Sequence, residues 1–117
     1  QGQLVGRPVS FLLNQRGWNV RTADSQTKNL PELLSDADVV ISAIGQPKFI
    51  SGDQIKPGCI VIDAVTSEEN GGIVGDIDFD SASRVASFIS PVPGGVGPIT
   101  VAMLLTNVLQ VAREKFN

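Results

Sequence analysis

Two short apolar runs constrain this chain more than any other feature: Asp38-Val-Val-Ile-Ser-Ala-Ile-Gly45 and Cys59-Ile-Val-Ile-Asp63-Ala-Val. Each is rich in β-branched residues, too short for a stable helix, and closed off by turn-forming residues such as Lys56-Pro57-Gly58. A strand that is apolar at consecutive positions hides both of its faces. Sheets buried on both faces are typically parallel sheets covered by helices. The helical signals fall where that arrangement needs them. Pro8 to Arg16 carries Val9, Leu12 and Leu13 at helical spacing, with a proline suited to a first turn and Gly17 just past the end. Asn29-Leu-Pro-Glu-Leu-Leu offers an N-cap asparagine and a short second helix.

Asn19 to Ala23 and Ala86 to Ser90 read as further strands, and Ser67 to Gly72 as a polar hairpin tip. Residues 74–80 read as irregular chain before a helical turn at Ser81 to Arg84, and a long helix runs from about Ile99 to Phe116. This alternation implies one α/β domain over residues 1–117, a Rossmann-like open parallel sheet with flanking helices. Such a sheet starts with a strand feeding a glycine-rich turn. Here Gln1-Gly2-Gln3-Leu4-Val5-Gly6 already reads as the turn, so the first strand is expected to be missing from this stretch. Ligands of these folds bind beyond the carboxyl ends of the strands, which directs attention to the residues just after each one.

Composition narrows the chemistry. Histidine is absent and Cys59 is the one cysteine, so a zinc site has almost no ligands to draw on, and no metal is expected. A net charge of −3 argues against a nucleic-acid partner, which would need a basic face. No uninterrupted apolar run approaches the roughly 20 residues of a membrane span, so no membrane is expected. A single cysteine suits a reducing compartment, here the cytoplasm.

Several positions carry a functional reading beside a plainer one. Gly2 to Pro8 reads as the remnant of a phosphate-cradling turn at a helix N-terminus, or simply as glycines near a chain start. Asp24 follows the second strand roughly 20 residues after that turn, where a carboxylate can bond adenosine ribose hydroxyls and repel the extra phosphate of NADP. An Asx-type turn is the alternative. Asp76, Asp78 and Asp80 fail as a calcium loop because the sixth and twelfth positions are Ser81 and Ser87, so they read as solvated or turn-capping carboxylates. Cys59 reads as core, and Asp63 as a structural hydrogen-bonding group at a strand end. The loop Pro91-Val-Pro-Gly-Gly-Val-Gly-Pro98 is the most informative: glycines open unusual backbone conformations and prolines restrain the rest, at the entrance to a helix.

That loop, extended to Pro93-Gly-Gly-Val-Gly-Pro-Ile-Thr-Val-Ala-Met-Leu-Leu-Thr-Asn107, closely resembles a signature of the methylenetetrahydrofolate dehydrogenase/cyclohydrolase family. Leu4-Val-Gly-Arg-Pro8, Ser25 to Leu30, Ala37 to Pro47, Ile55 to Gly58, Val61 to Asp63 and Val74 to Phe79 agree with it in order and spacing. The resemblance implies the NAD(P)-binding domain of a two-domain, homodimeric enzyme. That enzyme oxidises 5,10-methylenetetrahydrofolate and hydrolyses the methenyl product to 10-formyltetrahydrofolate. The catalytic lysine and its tyrosine neighbour belong to the other domain, so no catalytic residue is expected in this chain, and the long helix would return toward that domain.

By the same resemblance Pro93, Gly94, Gly95, Val96 and Gly97 would line the folate side, while Gly2, Asp24, Ser25, Gly45 and Thr66 would meet the cofactor. Three departures stand out. The family's arginine–serine pair falls on Gln1 and Gly2, its Cys-His-Ser on Ala23-Asp24-Ser25, and its Gly-Ile-Asn on Val65-Thr66-Ser67. The first two remove donors and add a carboxylate near the adenosine ribose, which implies NAD over NADP. The third crowds the nicotinamide side. The alternative is a non-catalytic nucleotide-binding or scaffold domain diverged from that family.

Overall fold

The computed structural model describes residues 4–116, so Gly2 lies outside the described residues. The elements are α1 (Gly6–Gln15), α2 (Leu30–Asp36), β1 (Val39–Ser42), a 3-10 turn (Gly52–Gln54), β2 (Ile60–Asp63), β3 (Ser67–Glu69), β4 (Gly72–Val74), α3 (Phe79–Ser83), β5 (Phe88–Ile89) and α4 (Val96–Phe116). Three parallel strands form the main sheet in the order β1-β2-β5, and β3 and β4 form a separate antiparallel hairpin. The two apolar runs therefore pair with each other, Val39 opposite Ile60 and Ser42 opposite Asp63, as an open parallel sheet requires.

The two faces of this sheet differ. Val40, Val61 and Cys59 are buried with Leu34 of α2, Ile50, Ile55, Ile77 and Ala82 of α3. This core draws on α2, the 3-10 turn and α3 stacked on one side of the strands. A Cβ at Gly52 would stand 2.2 Å from the Ser81 carbonyl oxygen, so only glycine lets the 3-10 turn and α3 come this close. On the opposite face Ile41, Ile60 and Phe88 are 38%, 40% and 55% exposed, which departs from the expectation of burial on both sides. Neither α1 nor α4 lies over that face closely enough to seal it.

Residues 19–23 form no strand, contrary to the reading of their alternation. A strand exists only where a neighbour accepts its backbone bonds, and this segment has no ladder partner among the described residues. The outer edge of β1 is equally unpaired. Asp38 and Ser42 point their carbonyls at β2, accepting from Ile60 and Ala64. Val39 and Ile41 therefore direct their own N–H and C=O groups the other way.

Helix α1 ends where the sequence says it should, with Gly17 at φ +82°. Helix α4 starts at Val96, ahead of the expected Ile99, because Pro98 sits in its first turn, where a missing N–H costs nothing. None of its 21 residues is buried. The hydroxyls of Thr100 and Thr106 donate to the carbonyls of Val96 and Ala102 on the same helix, turning their polar atoms inward. By length and composition alone α4 is apolar enough to cross a membrane, with a window of mean hydropathy 1.3. The sequence reading missed this because polar residues interrupt the run without lowering its average much.

Candidate functional site

Parallel pairing places the ends of β1, β2 and β5 along one edge of the sheet, and the loops leaving them carry the chemistry. The most densely bonded part of that edge is a pair of aspartates. Asp76 is fully buried, and its carboxylate accepts four hydrogen bonds. The Ser42 hydroxyl donates to Oδ2 at 2.8 Å and the Ile44 N–H to the same oxygen at 2.6 Å. The Gly45 and Gln46 N–H groups donate to Oδ1 at 2.9 and 3.0 Å. Asp63, at the end of β2, accepts in turn from the N–H groups of Asp76 at 3.2 Å and Ile77 at 3.0 Å. Its own N–H donates to the Ser90 hydroxyl at 2.8 Å, which ties in the end of β5. Burial pushes the Asp63 carboxyl upward, against the backbone bonds from Ile77 and Asp76 that hold it down.

The two aspartates thus lock the three strand ends together. Asp63 is the structural hydrogen-bonding group expected from its position. Of the two readings for the acidic run, solvated or turn-capping, Asp76 takes the second: it caps the 44–46 turn, but from a fully buried position that the sequence did not announce, and only Asp80 of the three acidic residues is exposed. Ser42 and Ser90, buried hydroxyls in otherwise apolar strands, were the available signal.

Of the cofactor candidates read from the sequence, Asp24, Ser25, Gly45 and Thr66 are among the described residues. Gly45 adopts φ +86° in the turn after β1, with nothing within 4 Å of where a Cβ would stand. That open space fits close approach of a flat ligand to the backbone. Asp24 and Ser25 are exposed. The Asp24 Oδ1 accepts from the Gln26 N–H at 2.9 Å and the Thr27 hydroxyl at 3.2 Å, the geometry of an Asx turn. Those bonds, the Gln26 N–H foremost, hold its pKa below 3.8, so it carries its charge at neutral pH. Turn and carboxylate are one residue.

Asp24, Ser25, Ile44 and Gln46 border the upper end of a cavity of about 780 Å³. The cavity continues down between α1, residues 18–23, α2 and the unpaired edge of β1. Most of it lies beside the sheet, along β1, with only one end at the edge where the strands finish.

Thr66 is exposed in the loop after β2 and does not line this cavity. The loop after β5 borders a separate hollow of about 100 Å³ through Val92, together with Asp63, Ser90 and Lys48. Gly94 has φ +96°, and a Cβ on Gly95 would meet the Pro91 carbonyl oxygen at 2.3 Å, so the loop folds tightly back on itself. Pro93 is exposed, while Val96 and Gly97 fall within the first turn of α4 rather than in the loop. The structure therefore sets Asp24, Ser25 and the Gly45 turn around one opening, and Thr66 and Pro93 to Gly97 farther along the same edge.

Residues 1–116 match the family model described as the tetrahydrofolate dehydrogenase/cyclohydrolase NAD(P)-binding domain. The bifunctional protein FolD of Natranaerobius thermophilus is 44% identical over 117 residues, which are all of this chain and 41% of that protein. The crystal structure of the FolD methylenetetrahydrofolate dehydrogenase/cyclohydrolase from Campylobacter jejuni superposes with a TM-score of 0.95 at 40% identity, over 99% of this chain and 42% of that one. The Trypanosoma brucei FolD structure, complexed with NADP cofactor and an inhibitor, gives 0.89 at 37% identity over 97% of this chain and 41% of its own. The chain spans about two fifths of the length of these relatives.

Proposed function

Because this chain belongs to the tetrahydrofolate dehydrogenase/cyclohydrolase NAD(P)-binding domain family, we propose that it is the cofactor half of an enzyme oxidising 5,10-methylenetetrahydrofolate and hydrolysing the methenyl product to 10-formyltetrahydrofolate. The observation that carries this is the tying of three parallel strand ends, through Asp63 and Asp76, into one edge with an open glycine turn at Gly45. A dinucleotide bound along that edge would accept the hydride. The chain's own part is positioning: it orients the cofactor and brings the Pro93 to Gly97 segment against the folate. Proton transfer falls to a catalytic domain outside these residues.

Asp24 favours NAD. Its ionised carboxylate stands exposed beside Ser25, where it can accept ribose hydroxyls and repel an added phosphate. The same reading takes in Gly2, which lies outside the described residues, and extends through Thr66 to the nicotinamide side. The apolar α4 and the open sheet face at Ile41, Ile60 and Phe88 offer surface for the catalytic domain and for a second copy in a cytoplasmic homodimer.

The long cavity has a different occupant. Its walls include the outward-facing backbone of Val39 and Ile41 and the unpaired residues 19–23. An unpaired strand edge and an unpaired segment facing it across a shared slot call for an intervening strand. In this reading the full-length protein supplies it from residues preceding Gln1, leaving only the upper end by Asp24 and Gln46 for cofactor.

The test is to give the full-length protein methylenetetrahydrofolate with NAD or NADP and follow cofactor reduction spectroscopically. Reduction supports the enzyme. Its absence with both cofactors, in protein that still binds a dinucleotide, moves the balance to a non-catalytic binding domain, as the bulkier Val65-Thr66-Ser67 would allow.

A further inference from the structure

Consecutive backbone N–H groups turned toward one point form a hollow that binds anions, and phosphate is a common guest. The turn after β1 has this form, with the N–H groups of Ile44, Gly45 and Gln46 converging on one centre. The centre is already taken. Asp76, from the far side of the β3–β4 hairpin, inserts its carboxylate there and is fully buried. Meanwhile the outer surface of the turn is open, Ile44 being 44% exposed and Gly45 and Gln46 exposed as well. Among the described residues no donor reaches the carbonyl oxygens of Ile44, Gly45 or Gln46. The backbone of the turn therefore has acceptors, and no free donors, left to offer a ligand.

We propose that Asp76 is a positioning residue that fills this anion hollow from within, so that the turn receives an uncharged, hydrogen-donating part of the cofactor while the phosphates are held elsewhere. A ribose hydroxyl or a carboxamide has the required chemistry. The inference rests on the cofactor reading above and adds which part of the ligand the turn accepts. It also explains the cost of burying a carboxylate: four bonds, two of them to one oxygen at 2.6 and 2.8 Å, replace its water.

The experiment uses isotope-labelled full-length protein, with NAD and inorganic pyrophosphate as separate probes of the Ile44 to Gln46 amides. NAD should shift those signals, and pyrophosphate at saturating concentration should leave them in place. In Asp76→Asn, hydrogen exchange at the three amides should rise at least about tenfold and the NAD dissociation constant by about tenfold, while the KM for the folate changes less than about twofold. Ser42→Ala removes one bond of the four and should raise exchange by about threefold; it decides the matter if the Asn variant does not fold. Pyrophosphate shifting these amides in the wild type overturns the proposal. So does wild-type exchange and NAD affinity in folded Asp76→Asn, or wild-type exchange in Ser42→Ala. If NAD moves no amide in the protein, it is the cofactor reading that fails, and the exchange rates still decide what Asp76 does to the turn.

Discussion

A Cβ placed on Gly75 would come within 2.0 Å of the Asp63 carboxylate oxygen Oδ2. The hairpin returning from β4 is thus pressed directly onto the end of β2, and the next two residues, Asp76 and Ile77, donate their N–H groups to that carboxylate. Gly75→Ala forces either the backbone or Asp63 to move. We expect a loss of about 1–3 kcal/mol in denaturant unfolding, the range for overpacked interiors. Wild-type stability in this variant would mean that the contact is not tight in solution.

Asp63 also predicts a pH dependence. Burial lifts its carboxyl above the ordinary 3.8, so the native state holds that proton more firmly than the unfolded chain does. Its contribution to stability is whole below 3.8 and is lost as the pH rises through the folded value. Asp63→Asn abolishes the titration. The variant should therefore gain on the wild type as the pH rises from below 3.8 toward neutrality, whatever its absolute stability. Melts at a series of pH values measure this, and a gap moving in the opposite direction would show that the backbone bonds outweigh burial.

Asp24 separates charge from turn geometry. Asp24→Asn keeps an oxygen for the Gln26 N–H and the Thr27 hydroxyl but removes the negative charge. In the full-length protein the ratio of NADP to NAD dissociation constants should fall by about tenfold, the scale of one charged hydrogen bond. An unchanged ratio places the 2′ position of the ribose away from this side chain.

The unpaired edge of β1 yields a further expectation. If a strand occupies the long cavity in the full-length protein, the outward amides of Val39 and Ile41 are hydrogen-bonded there. Hydrogen exchange should then show them protected by about as much as the central amides of β2. Rapid exchange at both would leave the slot open to solvent or ligand.

What was legible in the sequence was local. The apolar runs 38–45 and 59–65 announced paired parallel strands, Gly17 stopped α1 where expected, and Pro8 and Pro31 lie within first helical turns. What failed depends on partners distant in the chain. Residues 19–23 alternate like a strand, yet strandhood needs a neighbour, and none is among the described residues. Asp76 caps a turn, one of its two readings, yet nothing in its identity hints that the turn is 44–46, 30 residues earlier, or that the carboxylate is buried. The candidate site was legible in the same uneven way. Gly45, with its positive φ, and the Asx geometry of Asp24 followed from residue type, whereas the buried carboxylates behind them did not.

Helix α4 has a consequence beyond binding. Threonines bonded to their own backbone and aliphatic side chains turned outward make it poorly suited to bare water, so the unit behaves less like an exchangeable module than its tidy sheet suggests. Selection on the residues of that helix acts through whatever covers them. Changes there should be inherited in step with changes on the covering surface, and a graft of this stretch into an unrelated polypeptide would carry its stickiness along.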